Sequence, residues 1–92
     1  MSDNPGNYGT FHFEGKEIVL REQATFSNRV FPYSYTVVKD GDPYITEYKA
    51  RGYLNGKKVI VTWHFDDVKG EEPESEDEYP FDDAHIYSVE VE

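Results

Sequence analysis

Alternating apolar and polar residues on both sides of an Asn-Gly pair predict one long β-hairpin in the middle of the chain. The stretch runs from Pro43 to Asp66, and Asn55-Gly56 lies at its centre. Asn-Gly is the strongest short signal for a two-residue type I′ turn, because both residues tolerate positive φ. Such a turn pairs residues whose numbers add up to 111, the sum of 55 and 56. A slip of this pairing by one residue would place apolar and polar side chains on the same face. One predicted face carries Ala50–Val61, Tyr48–Trp63 and Thr46–Phe65, and the other carries Tyr53–Lys58, Arg51–Ile60, Lys49–Thr62 and Glu47–His64.

Shorter alternating runs predict two strands ahead of this hairpin. The first runs from Tyr8 to Glu14, and a tight turn at Gly15-Lys16 leads into a second from Glu17 to Thr25. Residues 27–29 then form a connection. Glu, Leu, Arg, Gln and Ala are also good helix formers, so a helix over residues 17–29 is the alternative for this segment.

A third strand is predicted from Phe31 to Lys39, where aromatic and β-branched residues recur. Asp40-Gly41 follows as a turn that brings the chain back to the central hairpin. A two-residue loop there places Tyr33, Tyr35 and Val37 opposite Tyr48, Thr46 and Tyr44, and a four-residue loop shifts the pairs by two and keeps the same faces.

A last strand from Ala84 to Val91 completes an all-β fold of about six antiparallel strands joined as a meander. It carries Tyr87, Val89 and Val91 on one face. A flat sheet of this size would leave its apolar face in water, so we expect it to curl into a small barrel, half-barrel or folded sheet. Residues 1–92 make a single domain, with residues 1–7 as a flexible tail.

Negative charge is concentrated in one segment of the chain. The net charge is −10, and from Asp66 to Asp83 ten acidic residues stand against Lys69 alone, a charge of −9. The nine acids and eight bases elsewhere leave −1. Proline, glycine and dense like charge oppose regular structure, so residues 67–83 are predicted to form an acidic loop.

The two ends of the acidic loop form a candidate cation site. If the strands before and after the loop are neighbours, Asp66 and Asp67 meet Asp82 and Asp83 at one rim of the sheet. Four carboxylates could bind Ca²⁺ or Mg²⁺, because hard cations prefer oxygen ligands. The alternative is a solvated loop without a metal.

Several functional classes find no support in the sequence. The chain has no cysteine, no G-x-S-x-G elbow and no glycine-rich phosphate loop, so we expect neither an enzyme nor a cofactor. Neither a signal peptide nor an apolar run long enough for a membrane span is visible, and a cytoplasmic protein is expected. With nine basic residues against nineteen acidic ones, direct binding of nucleic acid is not expected.

These features predict a binding protein. The first hypothesis is a protein-binding or regulatory module that uses the acidic loop or an open strand edge, most readily that of the first strand. The alternative is a cation or small-ligand binder that uses the rim carboxylates or a Tyr-lined cavity inside the curled sheet. A further alternative is an inhibitor that mimics a nucleic-acid backbone with its carboxylates.

Overall fold

Six antiparallel strands form one sheet in the described part of the protein. The computed structural model describes residues 8–31, 39–74 and 79–92, so the predicted tail at residues 1–7 lies outside it. Within these ranges the sheet does not close into a barrel, and the predicted all-β folded sheet is confirmed. No helix in the described ranges is long and apolar enough to cross a membrane. The strands are β1 (Thr10–Phe13), β2 (Lys16–Leu20), β3 (Thr25–Val30), β4 (Pro43–Leu54), β5 (Lys57–Val68) and β6 (Ile86–Val91), and a short 3₁₀ helix spans Asp83–His85.

The central hairpin has the predicted turn and register. Strands β4 and β5 pair over their full length of twelve residues each, from Leu54 opposite Lys57 to Pro43 opposite Val68. Asn55 and Gly56 have φ angles of 52° and 80°, as a type I′ turn requires. The two faces of the hairpin are therefore separated as the sequence predicted.

Strands β2 and β3 lie end to end along the same edge of β4, and this differs from the prediction. β2 pairs with β4 at Gly52 to Leu54, and β3 pairs with it from Ile45 to Lys49. The helix alternative is wrong, and so is the connection at residues 27–29, because those residues belong to β3. The gap between the two strands, residues 21–24, stays attached to the sheet because the Arg21 N–H donates to the Arg51 carbonyl at 2.9 Å.

The predicted pairing of the third strand with β4 is also wrong. Residues 32–38, which include Tyr33, Tyr35 and Val37, lie outside the described residues. The edge of β4 assigned to them is occupied by β3 instead, with Phe26 opposite Tyr48 and Arg29 opposite Thr46. A strand edge has one row of backbone groups to pair, so one neighbour excludes another there.

Of two further predicted turns, one lies at the predicted position and the other is shifted by one residue. The Asp40-Gly41 turn is present, with the Asp42 N–H donating to the Lys39 carbonyl at 3.0 Å. The turn between β1 and β2 lies at Glu14-Gly15, one residue before the predicted position, and both residues have positive φ.

A bulge in β6 changes which of its side chains face inward. The pairing shifts by one residue after Thr62, so that Trp63 lies opposite Ile86 and Tyr87 is the extra residue. Ile86 is therefore buried, whereas Tyr87 is 64% exposed. The predicted common face of Tyr87 with Val89 is wrong for this reason.

The core consists of aromatic and branched side chains on the inner face of the curled sheet. Trp63 is fully buried and meets Phe11 and Phe81 edge-to-face, with ring centroids 5.3 and 5.5 Å apart. Its indole N–H has no hydrogen-bond partner within the described residues. The rest of the core comes from Ile18, Leu20, Ala24, Tyr48, Ala50, Val59, Val61, Phe65, Tyr79 and Ile86.

The predicted acidic loop contributes two of these core residues. Tyr79 is 8% exposed and Phe81 is fully buried, although both lie among carboxylates in the sequence. At the other end of the loop, β5 continues to Val68 and includes Asp67. The loop thus begins later than predicted, and Tyr79 and Phe81 near its end cover the core.

Replacing Phe81 with alanine tests whether its packing on the core stabilises the fold. Loss of a fully buried phenylalanine should lower the free energy of unfolding by about 3–5 kcal/mol. The measurement is urea denaturation followed by circular dichroism. Phe31→Ala is the matched control, because Phe31 is 41% exposed and its loss should cost less than about 1 kcal/mol. Equal losses in the two variants would contradict the packing described above.

Candidate functional site

The inner face of the sheet has an open cleft beside the core. Its volume is about 250 Å³. It lies where β3 and β4 meet two parts of the acidic loop, residues 72–74 and Tyr79. The side chains that define it are Phe26, Arg29, Tyr44, Tyr48, Glu72 and Tyr79.

Strand geometry explains why these side chains converge. Alternate residues of β4 point to the same face, which places Tyr44, Thr46 and Tyr48 in line along the cleft. On β3 the register shifts between Phe26 and Asn28. Because of that bulge, Phe26 and Arg29 both lie on the cleft side although they are three positions apart.

The walls of the cleft are aromatic rings set at steep angles to one another. The Phe26 and Tyr48 centroids are 6.2 Å apart at 78°, and those of Tyr48 and Tyr79 are 5.4 Å apart at 54°. The Arg29 guanidinium carbon lies 5.5 Å from the centroid of Tyr44. The Phe26 ring is half exposed, whereas the rings of Tyr44, Tyr48 and Tyr79 are buried and Arg29 covers Tyr44.

A hydrogen bond between Tyr44 and Glu72 fixes one rim. The Tyr44 hydroxyl donates to Glu72 Oε2 at 2.7 Å, and the Gly70 N–H donates to Glu72 Oε1 at 2.8 Å. Burial, with the Glu72 carboxylate beside it, raises the pKa of Tyr44 to about 12. The same hydrogen bond lowers the pKa of Glu72. At neutral pH this rim therefore carries a carboxylate and a neutral phenol.

A buried carboxylate lies beneath the cleft. Asp67 is 7% exposed, and its Oδ2 accepts hydrogen bonds from the hydroxyls of both Thr46 and Tyr79. Burial, followed by the bond to Asp67, raises the pKa of Tyr79 well above its usual range. These bonds join β4, β5 and the returning end of the acidic loop.

The four carboxylates of the predicted cation site differ in exposure and in the element on which they lie. Asp66 is exposed, whereas Asp67 points to the opposite face of β5 and is buried. Asp82 caps the 3₁₀ helix and accepts from His85 Nδ1 at 2.7 Å. Asp83 is the first residue of that helix. Within the described residues no group of three or more acidic or histidine side chains could hold a metal, and the Ca²⁺ or Mg²⁺ site stays a prediction.

The outer face of the hairpin carries the predicted Glu47–His64 pair. His64 Nε2 lies 3.1 Å from Glu47 Oε1, and the Tyr87 ring stacks on the imidazole at 3.9 Å between centroids. The hydrogen bond to His64 lowers the pKa of Glu47, against the opposing effect of burial. This pair lies on the face away from the cleft, because it is formed by the alternate residues of β4 and β5.

No protein-family model, curated protein or solved structure matches the chain. Sequence analysis predicted a Tyr-lined cavity but did not identify Phe26, Arg29, Glu72 or Tyr79 as part of one. For Tyr79 a signal was present, since the Tyr-Pro-Phe run is the longest apolar run in the acidic segment.

The difference in burial between Asp66 and Asp67 can be tested by replacing each of them with asparagine. Asp67→Asn weakens an acceptor that two buried hydroxyls use, and should lower the free energy of unfolding by about 1–3 kcal/mol. Asp66→Asn, on the exposed side of the same strand, should change it by less than about 0.5 kcal/mol. Urea denaturation of both variants measures this. A larger effect at Asp66 than at Asp67 would contradict the assignment of faces.

The hydrogen bond between Glu47 and His64 predicts that the pKa of Glu47 depends on the presence of His64. The Glu47 side-chain carboxyl, followed by ¹³C NMR, should titrate below its ordinary pKa of 4.5. His64→Ala should raise this pKa, whereas His12→Ala, an exposed change on β1, should not. Because the folded-state pKa is lowered, the stabilisation is complete above the ordinary pKa and is lost as pH falls through the lowered value. An unchanged Glu47 pKa in His64→Ala would contradict the bond.

Proposed function

We propose that this protein is a protein-binding module that takes up a β-strand of its partner along the free edge of β6. One observation carries the proposal: the described sheet is open, and β6 is paired on one side, with β5. An open edge presents N–H and C=O groups that can add a strand from another chain. The interior beside it is filled by side chains, which favours a partner at the edge over a ligand inside a barrel.

The backbone groups that would bind such a strand can be identified. The Glu92 N–H donates to the Lys58 carbonyl at 3.0 Å, so this opposed pair is of the hydrogen-bonded type. In antiparallel sheets that type alternates along the strand. The Glu90 backbone groups therefore face β5, and those of Val89 and Val91 face away from it.

The side chains of β6 suit an interface. Tyr87 and Val91 are 64% and 68% exposed, and both are large apolar residues at the edge of the sheet. Exposed Glu90 lies between them in the sequence. With a net charge of −10 on the protein, a partner strand with basic residues is favoured in the encounter.

The first strand, which the sequence favoured as the open edge, is less suited to this role. β1 has four residues and packs against the 3₁₀ helix, whereas β6 has six. Each added backbone bond contributes to a strand complex, so the longer edge is the better template.

Removing one outward N–H from β6 tests the proposal. Peptides are first selected for binding from a random displayed library, and the best is synthesised as the probe. Val91→Pro removes an edge donor without removing a bond to β5, and should weaken peptide binding at least tenfold with little change in the free energy of unfolding. Isothermal titration calorimetry and urea denaturation measure the two quantities.

Val91→Ala is the matched control, because it shortens the side chain and keeps the amide. It should retain most of the affinity. In the bound state, hydrogen exchange of the Val89 and Val91 amides should slow, while the Glu90 amide is protected from the start. A selected peptide that binds Val91→Pro as tightly as the wild type would overturn the proposal.

A further inference from the structure

The two faces of the sheet differ in chemistry along the free edge of β6. Val89 and Val91 lie opposite fully buried valines of β5, so their side chains point to the inner face. Glu90 lies between them in the strand and points to the outer face. A strand added along this edge would therefore meet apolar side chains on one face and a carboxylate on the other.

The inner side of this edge is apolar and incompletely covered. Val89 packs against the core, whereas Val91 is 68% exposed although Val59, opposite it on β5, is fully buried. Removal of apolar surface from water is the main favourable term in most protein association. The residues of an added strand that lie opposite Val89 and Val91 are therefore expected to be apolar.

The carboxylate of Glu90 is available to a partner on the outer side. It is exposed, and within the described residues no basic side chain lies at ion-pair distance from it, not even Lys58 at the diagonal position of β5. Glu92 differs, because Arg21 and Arg51 lie 3.4 and 3.9 Å from its carboxylate oxygens. An incoming cation is therefore expected to pair with Glu90.

Side chains that are directly opposed on antiparallel strands are close enough to interact. Their Cβ atoms lie about 4.5–5.5 Å apart, so opposite charges in such a pair attract and like charges repel. The residue of an added antiparallel strand opposite Glu90 is therefore favoured when it is Lys or Arg and disfavoured when it is acidic.

The same rule disfavours a second copy of this chain at the edge. If two β6 strands paired antiparallel about a twofold axis at Glu90, the two Glu90 side chains would lie directly opposite each other. Each copy also carries a net charge of −10, which opposes their approach. A strand of a different, basic sequence fits this edge better.

We propose that the strand bound by β6 has the pattern apolar–basic–apolar, with Lys or Arg opposite Glu90 and apolar residues opposite Val89 and Val91. This inference rests on the proposed strand-binding function and specifies the partner of that same edge. The outward backbone groups of Val89 and Val91 supply hydrogen bonds to any strand, and the side chains determine which strand is accepted.

Two separate selections test the pattern. A random displayed peptide library is selected against the wild-type full chain and, independently, against Glu90→Lys. The wild type should enrich a basic residue between two apolar ones, and Glu90→Lys should enrich an acidic residue at that central position. The same central residue in both selections, or peptides without the alternation, would overturn this inference.

Exchange of charge between protein and peptide measures the contribution of Glu90. Isothermal titration calorimetry compares the peptide selected on the wild type with a version in which glutamate replaces its central basic residue. Glu90→Gln should weaken binding of the basic peptide by about twofold to fivefold, and Glu90→Lys should reverse the order of the two peptides.

Glu17→Gln is the matched control for net charge. It removes one exposed carboxylate from β2, which is separated from β6 by two strands, and it should leave the affinity for the basic peptide unchanged. Equal losses in Glu17→Gln and Glu90→Gln would assign the effect to the charge of the whole protein and overturn the pairing.

Three further outcomes separate this inference from the function on which it rests. If no peptide is selected, or if the selected peptides bind Val91→Pro as tightly as the wild type, strand binding is overturned and the pattern with it. Peptides that need the Val91 amide but show no preference at the central position overturn the pattern alone. Sedimentation equilibrium should show a monomeric wild type, and a dimer that is lost in Val91→Pro would assign the edge to a second copy and overturn the proposal.

Discussion

The twelve-residue pairing of β4 with β5 is the constraint on which the rest of the structure depends. Its register is fixed by one turn, and that register decides which side chains enter the core and which remain outside. Every other described strand except β1 is paired directly with one of these two strands. The aromatic core, the cleft beneath Tyr48 and the outer Glu47–His64 pair all follow from the same alternation.

The inner face of the open sheet is covered by residues 79–81, which belong to no strand. Tyr79 and Phe81 pack against Tyr48, Trp63 and Phe65 on the inner face, where a closed barrel would have placed further strands. The segment from Asp66 to Asp83, which has ten acidic residues, is thus anchored near its far end by two aromatic rings. Among the described residues of this loop, Glu71 and Glu74 are exposed whereas the two rings are buried.

Most of the fold could be predicted where a local signal determined the geometry. Asn55-Gly56 dictates a turn, and the register follows from it without further information. The interruption between Leu20 and Thr25 and the bulges near Ser27 and Tyr87 could not be predicted, because each reflects competition for a strand edge rather than a preference of the residues themselves. The cleft depends on one of these bulges, and Arg29 could not be assigned to it from alternation.

Because β2 and β3 lie end to end, each of them pairs with a different part of β4. The half near the turn is held by β2 and the buried core, whereas the other half is bordered by β3, whose residues are almost all exposed. Regions with few buried contacts open at lower free energy than the core. We therefore expect β3 to detach in local unfolding events that leave the hairpin intact, and a molecule that contacts β3 to suppress them.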